Sequence, residues 1–169
     1  DRLAERRNAA RSALSALASP EAVQPDMPLL RLTERLQQDA DVDIRILCAN
    51  ALGESHNPRA RMALEGALGD PEPNVVAAAA EALGDLNDPR AVDALVELAR
   101  RGDFWTGNAA IASLGELGDA RAVPVLSEMT RDRWLAIEAA RALGRVGDEN
   151  ALPALREMLT QPADQRREA

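Results

Sequence analysis

Ala79-Ala80-Glu81-Ala82-Leu83-Gly84-Asp85-Leu86-Asn87-Asp88-Pro89-Arg90-Ala91-Val92-Asp93-Ala94-Leu95 is the stretch whose reading decides the fold. It continues a run, Val75–Leu83, built almost wholly from Ala, Leu, Val and Glu. Apart from the two valines, these residues lose little side-chain entropy in a helix. Asn87-Asp88-Pro89 interrupts the run. Asp88 is placed to cap a second helix, and Pro89 suits its first position, where a backbone N–H would have no partner anyway. In that second helix Ala91, Leu95 and Leu98, flanked by Val92 and Ala99, form one apolar stripe at helical period, and Arg90, Asp93, Glu97 and Arg100 fall outside it. The unit is a helix, a tight turn and a second helix.

The unit recurs. C-A-N-A-L-G, A-A-E-A-L-G, A-I-A-S-L-G and A-A-R-A-L-G end at Gly53, Gly84, Gly115 and Gly144, spaced 31, 31 and 29 residues apart. Each is followed by A-x-x-x-L, at Ala60–Leu64, Ala91–Leu95, Ala122–Leu126 and Ala151–Leu155. Such a period belongs to helical solenoids. A fainter copy precedes them: Leu14–Val23 aligns with Leu114–Val123, Ser15 takes the glycine's place, and the 38-residue interval from Ser15 to Gly53 implies an insertion around Gln24–Pro28. No segment sustains an alternation of apolar β-branched residues, so strands are not expected. The expected architecture is all-α: one solenoid domain over residues 1–160, with repeats at approximately 1–39, 40–69, 70–101, 102–131 and 132–160. A polar, flexible tail is expected over 161–169.

The repeat resembles the HEAT family, specifically the short bacterial E-Z type or phycobilisome-lyase-like repeats, whose motif is roughly D-x-x-V-R-x-x-A-A-x-A-L-G-x-L-G-D-x-x-A-V-x-x-L. Asp88–Leu95, Ala110–Leu126 and Asp132–Leu155 match it best. The resemblance spans about residues 10–160 and implies a right-handed α-solenoid of about five antiparallel helix pairs, with first helices on the convex side and second helices on the concave side. It says little about biochemistry, because one such scaffold carries many roles.

A solenoid gains stability by stacking, so its end repeats should be atypical. Asp1–Leu17, with Arg2, Glu5, Arg6, Arg7, Arg11 and Ser12, reads as a polar cap. The chain opens on Asp1 rather than Met, as a processed protein or a piece of a longer one would. No apolar run approaches the ~20 residues of a membrane span and no signal-peptide pattern is present, although a removed signal stays open. Cys48 is the single cysteine and sits where the other repeats have Ala79, Ala110 and Ala139. It reads as a small buried residue, and a cytoplasmic location is the default. All 20 basic residues are arginine, and the formal net charge is −8. An acidic chain repels phosphates, which argues against duplex nucleic acid. Some HEAT-like solenoids are DNA glycosylases that hold duplex DNA in a basic groove, and the basic excess they need is missing here.

Catalytic constellations are sparse. The repeats also look like those of deoxyhypusine hydroxylase, whose first helices carry His-Glu pairs for two irons. The matching slots hold Ile46-Leu47, Ala77-Ala78, Asn108-Ala109 and Ile137-Glu138, without histidine. His56, the sole histidine, aligns with Asn87, Gly118 and Gly147 in the turn between helices, where a left-handed backbone is expected. The glycines stand singly rather than in a phosphate-binding loop. No catalytic residue, cofactor or metal is assigned.

Three surfaces are candidates for a partner. Trp105 and Trp134 occupy one slot, ten residues before Gly115 and Gly144, where the other repeats have Asp43 and Asn74; with Phe104 they are the only aromatic residues of the chain. We expect them to plug the seam between repeats; the alternative is an aromatic anchor for a protein or peptide. Gly107, in the slot of Arg45, Val76 and Ala136, either admits a neighbouring side chain such as Trp134 to the backbone or opens a notch. On the second helices Glu97, Glu128 and Glu157 share one register position, joined by Asp93, Arg100, Arg131 and Arg156. That stripe reads as a solvated face, or else as a reader of a basic surface. Leu152, Leu155, Met158 and Leu159 form a last apolar stripe, expected to face the preceding repeat; Leu155 and Leu159 are the candidates for an end-on contact.

The leading expectation is a non-enzymatic protein-interaction or scaffold module, such as an adaptor or assembly factor in a bacterial complex. Its partner would be a protein or peptide, one with a basic surface if the glutamate stripe is the site. The alternatives are phycobilin-lyase-like handling of a tetrapyrrole, or a chaperone subunit of that kind, and third a nucleic-acid-binding protein.

Overall fold

The computed structural model describes residues 27–160. The expected polar cap, the first helix of the first repeat and the tail 161–169 lie outside these residues. Nine α-helices follow one another: α1 (Met27–Gln38), α2 (Val42–Glu54), α3 (Arg61–Ala67), α4 (Pro73–Leu86), α5 (Val92–Arg101), α6 (Phe104–Leu117), α7 (Val123–Met129), α8 (Ala136–Val146) and α9 (Leu152–Thr160). No strand occurs among the described residues. The fold is an α-solenoid. The first helices α2, α4, α6 and α8 stack in one row, and α3, α5 and α7 each also pack against the first helix that follows.

The turn inside each pair is built as the sequence implies. Asn57, Asp88, Asp119 and Asp148 each accept a hydrogen bond from the N–H two residues on, opening a single 3-10 turn that leads into the second helix. Just before it the backbone is left-handed at His56 (φ 47°), Asn87 (φ 54°), Gly118 (φ 63°) and Gly147 (φ 68°). His56 therefore serves the turn. It is exposed there.

The seam between first helices explains the A-L-G signature. A Cβ on Gly53 would stand 2.8 Å from Ala82 Cα, and one on Gly115 the same distance from Ala142 Cα. At Gly84 it would meet Ser113 Oγ at 2.9 Å. Helix backbones thus approach more closely than any larger residue allows. Ser113 is the buried polar residue of this seam, and its hydroxyl donates to Ala80 O at 2.9 Å, so it leaves nothing unsatisfied. The apolar stripe Ala91, Val92, Leu95, Leu98 and Ala99 is buried, while Arg90, Asp93, Glu97 and Arg100 are exposed.

One contact was not anticipated. Arg45 is buried at the start of α2, donating from Nε and Nη2 to Asp70 (2.8 and 2.9 Å) and from Nη1 to Asp39 O (2.9 Å). Burial works against the Asp70 carboxylate. The hydrogen bonds from Arg45 and the Glu72 N–H, with the Arg45 charge, nevertheless hold its pKa below the ordinary range. This pair ties α2 to the loop that leads into α4.

Candidate protein-binding surface

Each tryptophan is set in place by an aspartate two residues earlier. Asp103 caps α6, accepting from Thr106 N (2.9 Å) and Thr106 Oγ1 (3.1 Å), which puts Phe104 and Trp105 in the first turn. These bonds depress the Asp103 pKa, the one from the Thr106 backbone most. In the next repeat Asp132 Oδ1 accepts from Trp134 N (2.8 Å) and Leu135 N (2.9 Å), fixing the turn ahead of α8. The same register therefore delivers both indoles to neighbouring edges.

They do not fill the seam. Trp105 is 72% exposed and Trp134 67% exposed, which overturns the expectation of an inter-repeat plug. Phe104 joins the two tryptophans, its ring centroid 5.2 Å from Trp105 and 6.4 Å from Trp134, both edge-on. Arg133 lies over Trp134, with Cζ 4.9 Å from the ring centroid. Gly107 has a different neighbour from the one expected: Leu135 Cδ1, not Trp134, would be 3.6 Å from a Cβ there. Leu135 is the residue that enters the core, and its burial leaves Trp134 outside.

The outward side of the first helices continues from this aromatic cluster into carboxylates. On α6, Trp105 and Glu116 are both exposed and eleven residues apart, three turns and about 16 Å along one face. Glu81 and Asp85 of α4 are exposed as well. Partial burial, then the charges of Asp85 and Glu116, raise the Glu81 pKa above its ordinary value. These three carboxylates repel one another.

The second-helix stripe behaves in the opposite way. Arg100 lies between Glu97 (3.7 Å) and Glu128 (3.9 Å), and Arg131 reaches across to Glu157 at 2.8 Å. Asp93 pairs with Arg121 at 3.3 Å. The hydrogen bond between Arg131 and Glu157 raises the pKa of the first and lowers that of the second. Arg156 is exposed beside them. Of the candidate residues of that face, Asp93, Arg100, Glu128, Arg131 and Glu157 take part in a ladder of ion pairs between repeats, while Glu97 pairs within α5. At the chain's end Leu155 packs partly into the core, Met158 is half-buried and Leu159 is exposed, so the last stripe does not lie wholly against the preceding repeat.

Sequence reading missed Arg133 and Ile137. Ile137 is exposed one turn beyond Trp134, in the slot where Ile46, Ala77 and Asn108 are half-buried. Its signal was a large apolar residue in a slot otherwise only partly covered. Cys48 is buried, and burial pushes its thiol up to about 11. Among the described residues no group of three or more His, Cys, Asp or Glu could hold a metal ion, and no helix is long and apolar enough to cross a membrane.

Paired helices stacked through glycine seams define a HEAT-type solenoid. The HEAT-repeat family model matches residues 29–108 and 105–169, and the chain belongs to that family. Its fold is similar to a chain from the complex of CpcE and CpcF of phycocyanin lyase from Nostoc sp. PCC7120, at 24% identity and a TM-score of 0.69. That match covers 88% of this chain and 63% of the other, so this chain spans less than two thirds of that relative's length. Human deoxyhypusine hydroxylase in complex with glycerol also matches, at 17% identity and a TM-score of 0.39, over 95% of this chain and 93% of the other. Among curated protein sequences nothing matches significantly.

Proposed function

We propose that this chain is a non-catalytic protein-binding module, an adaptor or assembly factor, that holds its partner on the first-helix face. Phe104, Trp105 and Trp134 take an apolar anchor of the partner, and Glu81, Asp85 and Glu116 attract basic side chains about 16 Å away. The observation that carries this reading is the exposure of two tryptophans at one register position in successive repeats. Large exposed aromatics lose favourable burial unless something covers them, and tryptophan is enriched among residues that dominate binding. The second-helix stripe fits the role less well, because its carboxylates already pair with arginines of the chain.

A peptide-display library panned against the whole chain tests the reading. Enriched peptides should combine an aromatic or aliphatic anchor with Arg or Lys, and should lose binding to Trp105→Ala and Trp134→Ala. Peptides that bind those variants as well as the parent would reject it.

The likeness to a phycocyanin lyase complex supports a second reading, the handling of a tetrapyrrole, for which the aromatic cluster offers a flat surface. A buried thiol raised to about 11 is a poor nucleophile, so such a role would rest on non-covalent binding. Saturable spectral change on titration with a bilin, lost in Trp134→Ala, would favour it over the first reading.

A further inference from the structure

The outward side of α6 is low in its middle. Trp105, Asn108, Ala112 and Glu116 lie along it at helical spacing; the two end residues are exposed, and the short Asn108 and Ala112 between them are half-buried. First helices run in one direction, since Ser113 of α6 meets Ala80 of α4, and Glu116, three residues on, reaches Gly84. Matching positions therefore lie side by side, Ala77 next to Asn108 and Glu81 next to Ala112. The result is a saddle about 16 Å long, with an indole at one end and carboxylates at the other. Trp105 stays exposed although α8 already packs beside α6, so the following repeat does not cover this position.

Backbone chemistry selects what fits there. An extended segment needs a strand edge to meet its main-chain N–H and C=O groups, and no strand occurs among the described residues. A helix pairs those groups itself and lays side chains along the saddle at positions i, i+4, i+7 and i+11. Charge sets its direction. At the Glu116 end, Glu81, Asp85, Glu116 and Glu138 outnumber Arg141 and Arg145, and the C-termini of α4 and α6 add negative poles. At the Trp105 end lie the N-termini of α6 and α8 and the Arg133 guanidinium, while Asp103 and Asp132 spend their carboxylates on backbone N–H groups. A helix with its N-terminus over the carboxylates sets its positive pole and its basic side chains against them. The reverse direction sets like poles together at both ends.

We propose that the first-helix face takes an amphipathic helix of its partner, antiparallel to α6, with Arg or Lys near that helix's N-terminus and a large apolar residue eleven positions later. The basic residue faces Glu81 and Glu116, and the apolar one rests against Trp105. With the protein-binding role of this face as its basis, the assignment adds the partner's element, spacing and direction.

The test titrates the whole chain into three dye-labelled peptides with blocked ends and reads their fluorescence anisotropy. The first is an alanine-based helix with arginine in its N-terminal turn and leucine eleven residues later. The second has the same composition in reverse order. The third is a proline-rich extended chain with arginine and leucine about five residues apart, which spans the same distance. The first should bind about fivefold tighter than the second or better, since both of its ends meet opposite poles. The two carry equal charge, so general attraction to an acidic chain cancels, and the second is the better helix alone because its arginine lies at its C-terminus. Trp105→Ala should weaken the first peptide about tenfold with an unchanged unfolding midpoint, and Glu81→Gln with Glu116→Gln should shrink its lead over the second. Equal affinities, a preference for the second or third peptide, or no binding of any at high micromolar concentration overturns the proposal. Where the second or third peptide wins yet loses binding to Trp105→Ala, the first-helix face stands as the site and only the antiparallel helix falls.

Discussion

The two helix rows of this solenoid expose repeated side chains in opposite ways. On the second-helix row, Glu128 is met by Arg100 of the repeat before it and Glu157 by Arg131, while Glu97 pairs with Arg100 on its own helix. On the first-helix row, two tryptophans repeat without cover, and partial burial followed by the charges of Asp85 and Glu116 raises the Glu81 pKa. A repeated residue is thus not by itself a sign of recognition. What matters is whether the neighbouring repeat already satisfies it. The ladder's carboxylates pair within the chain, and the aromatic face is open to solvent.

The largest expected effect is on binding. Trp134→Ala should weaken a peptide selected as above by about 2 kcal/mol or more, roughly thirtyfold, with little change in the melting curve. A melting shift worth about 3–5 kcal/mol, typical of a lost buried aromatic, would instead return Trp134 to the seam and dissolve the contrast between the rows. Trp105→Ala should act in the same direction. The two tryptophans, the only ones in the chain, should also give the red-shifted, readily quenched emission of solvated indole, and partner binding should shift that emission to the blue.

The carboxylate group sharpens the comparison through pH. Glu81 has a raised folded-state pKa, so its ionisation costs stability. That cost is absent below the unfolded value of about 4.3 and sets in as pH rises through the folded value. Glu81→Gln should therefore raise the unfolding midpoint at neutral pH, and the two proteins should converge on acidification. Equal curves across pH would mean that neither partial burial nor the neighbouring carboxylates work against the Glu81 charge. The same acidification should act oppositely at Asp70, whose folded pKa is lowered. Its contribution is full above the unfolded value of about 3.9 and is lost as pH falls through the folded one.

The smallest effect belongs to the ladder. Arg131→Gln and Glu157→Gln, singly or together, should leave the midpoint within error, since solvent and salt screen exposed pairs. Either change should also leave peptide binding untouched. A clear loss of binding in both variants would move the recognition surface to the second helices.

Much of the fold was legible because it rests on local rules. The Ala-rich runs, the Asn or Asp before each second helix, and the A-L-G signature depend on helix propensity, capping and backbone approach, all of which act over a few residues. His56 belongs to this class: its alignment with Asn87, Gly118 and Gly147 predicted a left-handed turn, and that is where it stands. Arg45 does not, since its partner Asp70 is 25 residues away and nothing in the intervening pattern pairs them.

The sequence by itself determined that the chain is a stack of helix pairs, where each pair turns, and that the stripe Ala91, Val92, Leu95, Leu98 and Ala99 faces the core. It also put Phe104, Trp105 and Trp134 on adjacent edges and Glu97, Glu128 and Glu157 in one line. Only the tertiary structure decided which of these sets is free to act. Periodicity assigns a residue to a side of its own helix, but exposure depends on how near the next helix comes. At the start of α8 the packing of neighbouring helices buries Leu135 beside Gly107, and Trp134, the residue before it, is left in solvent.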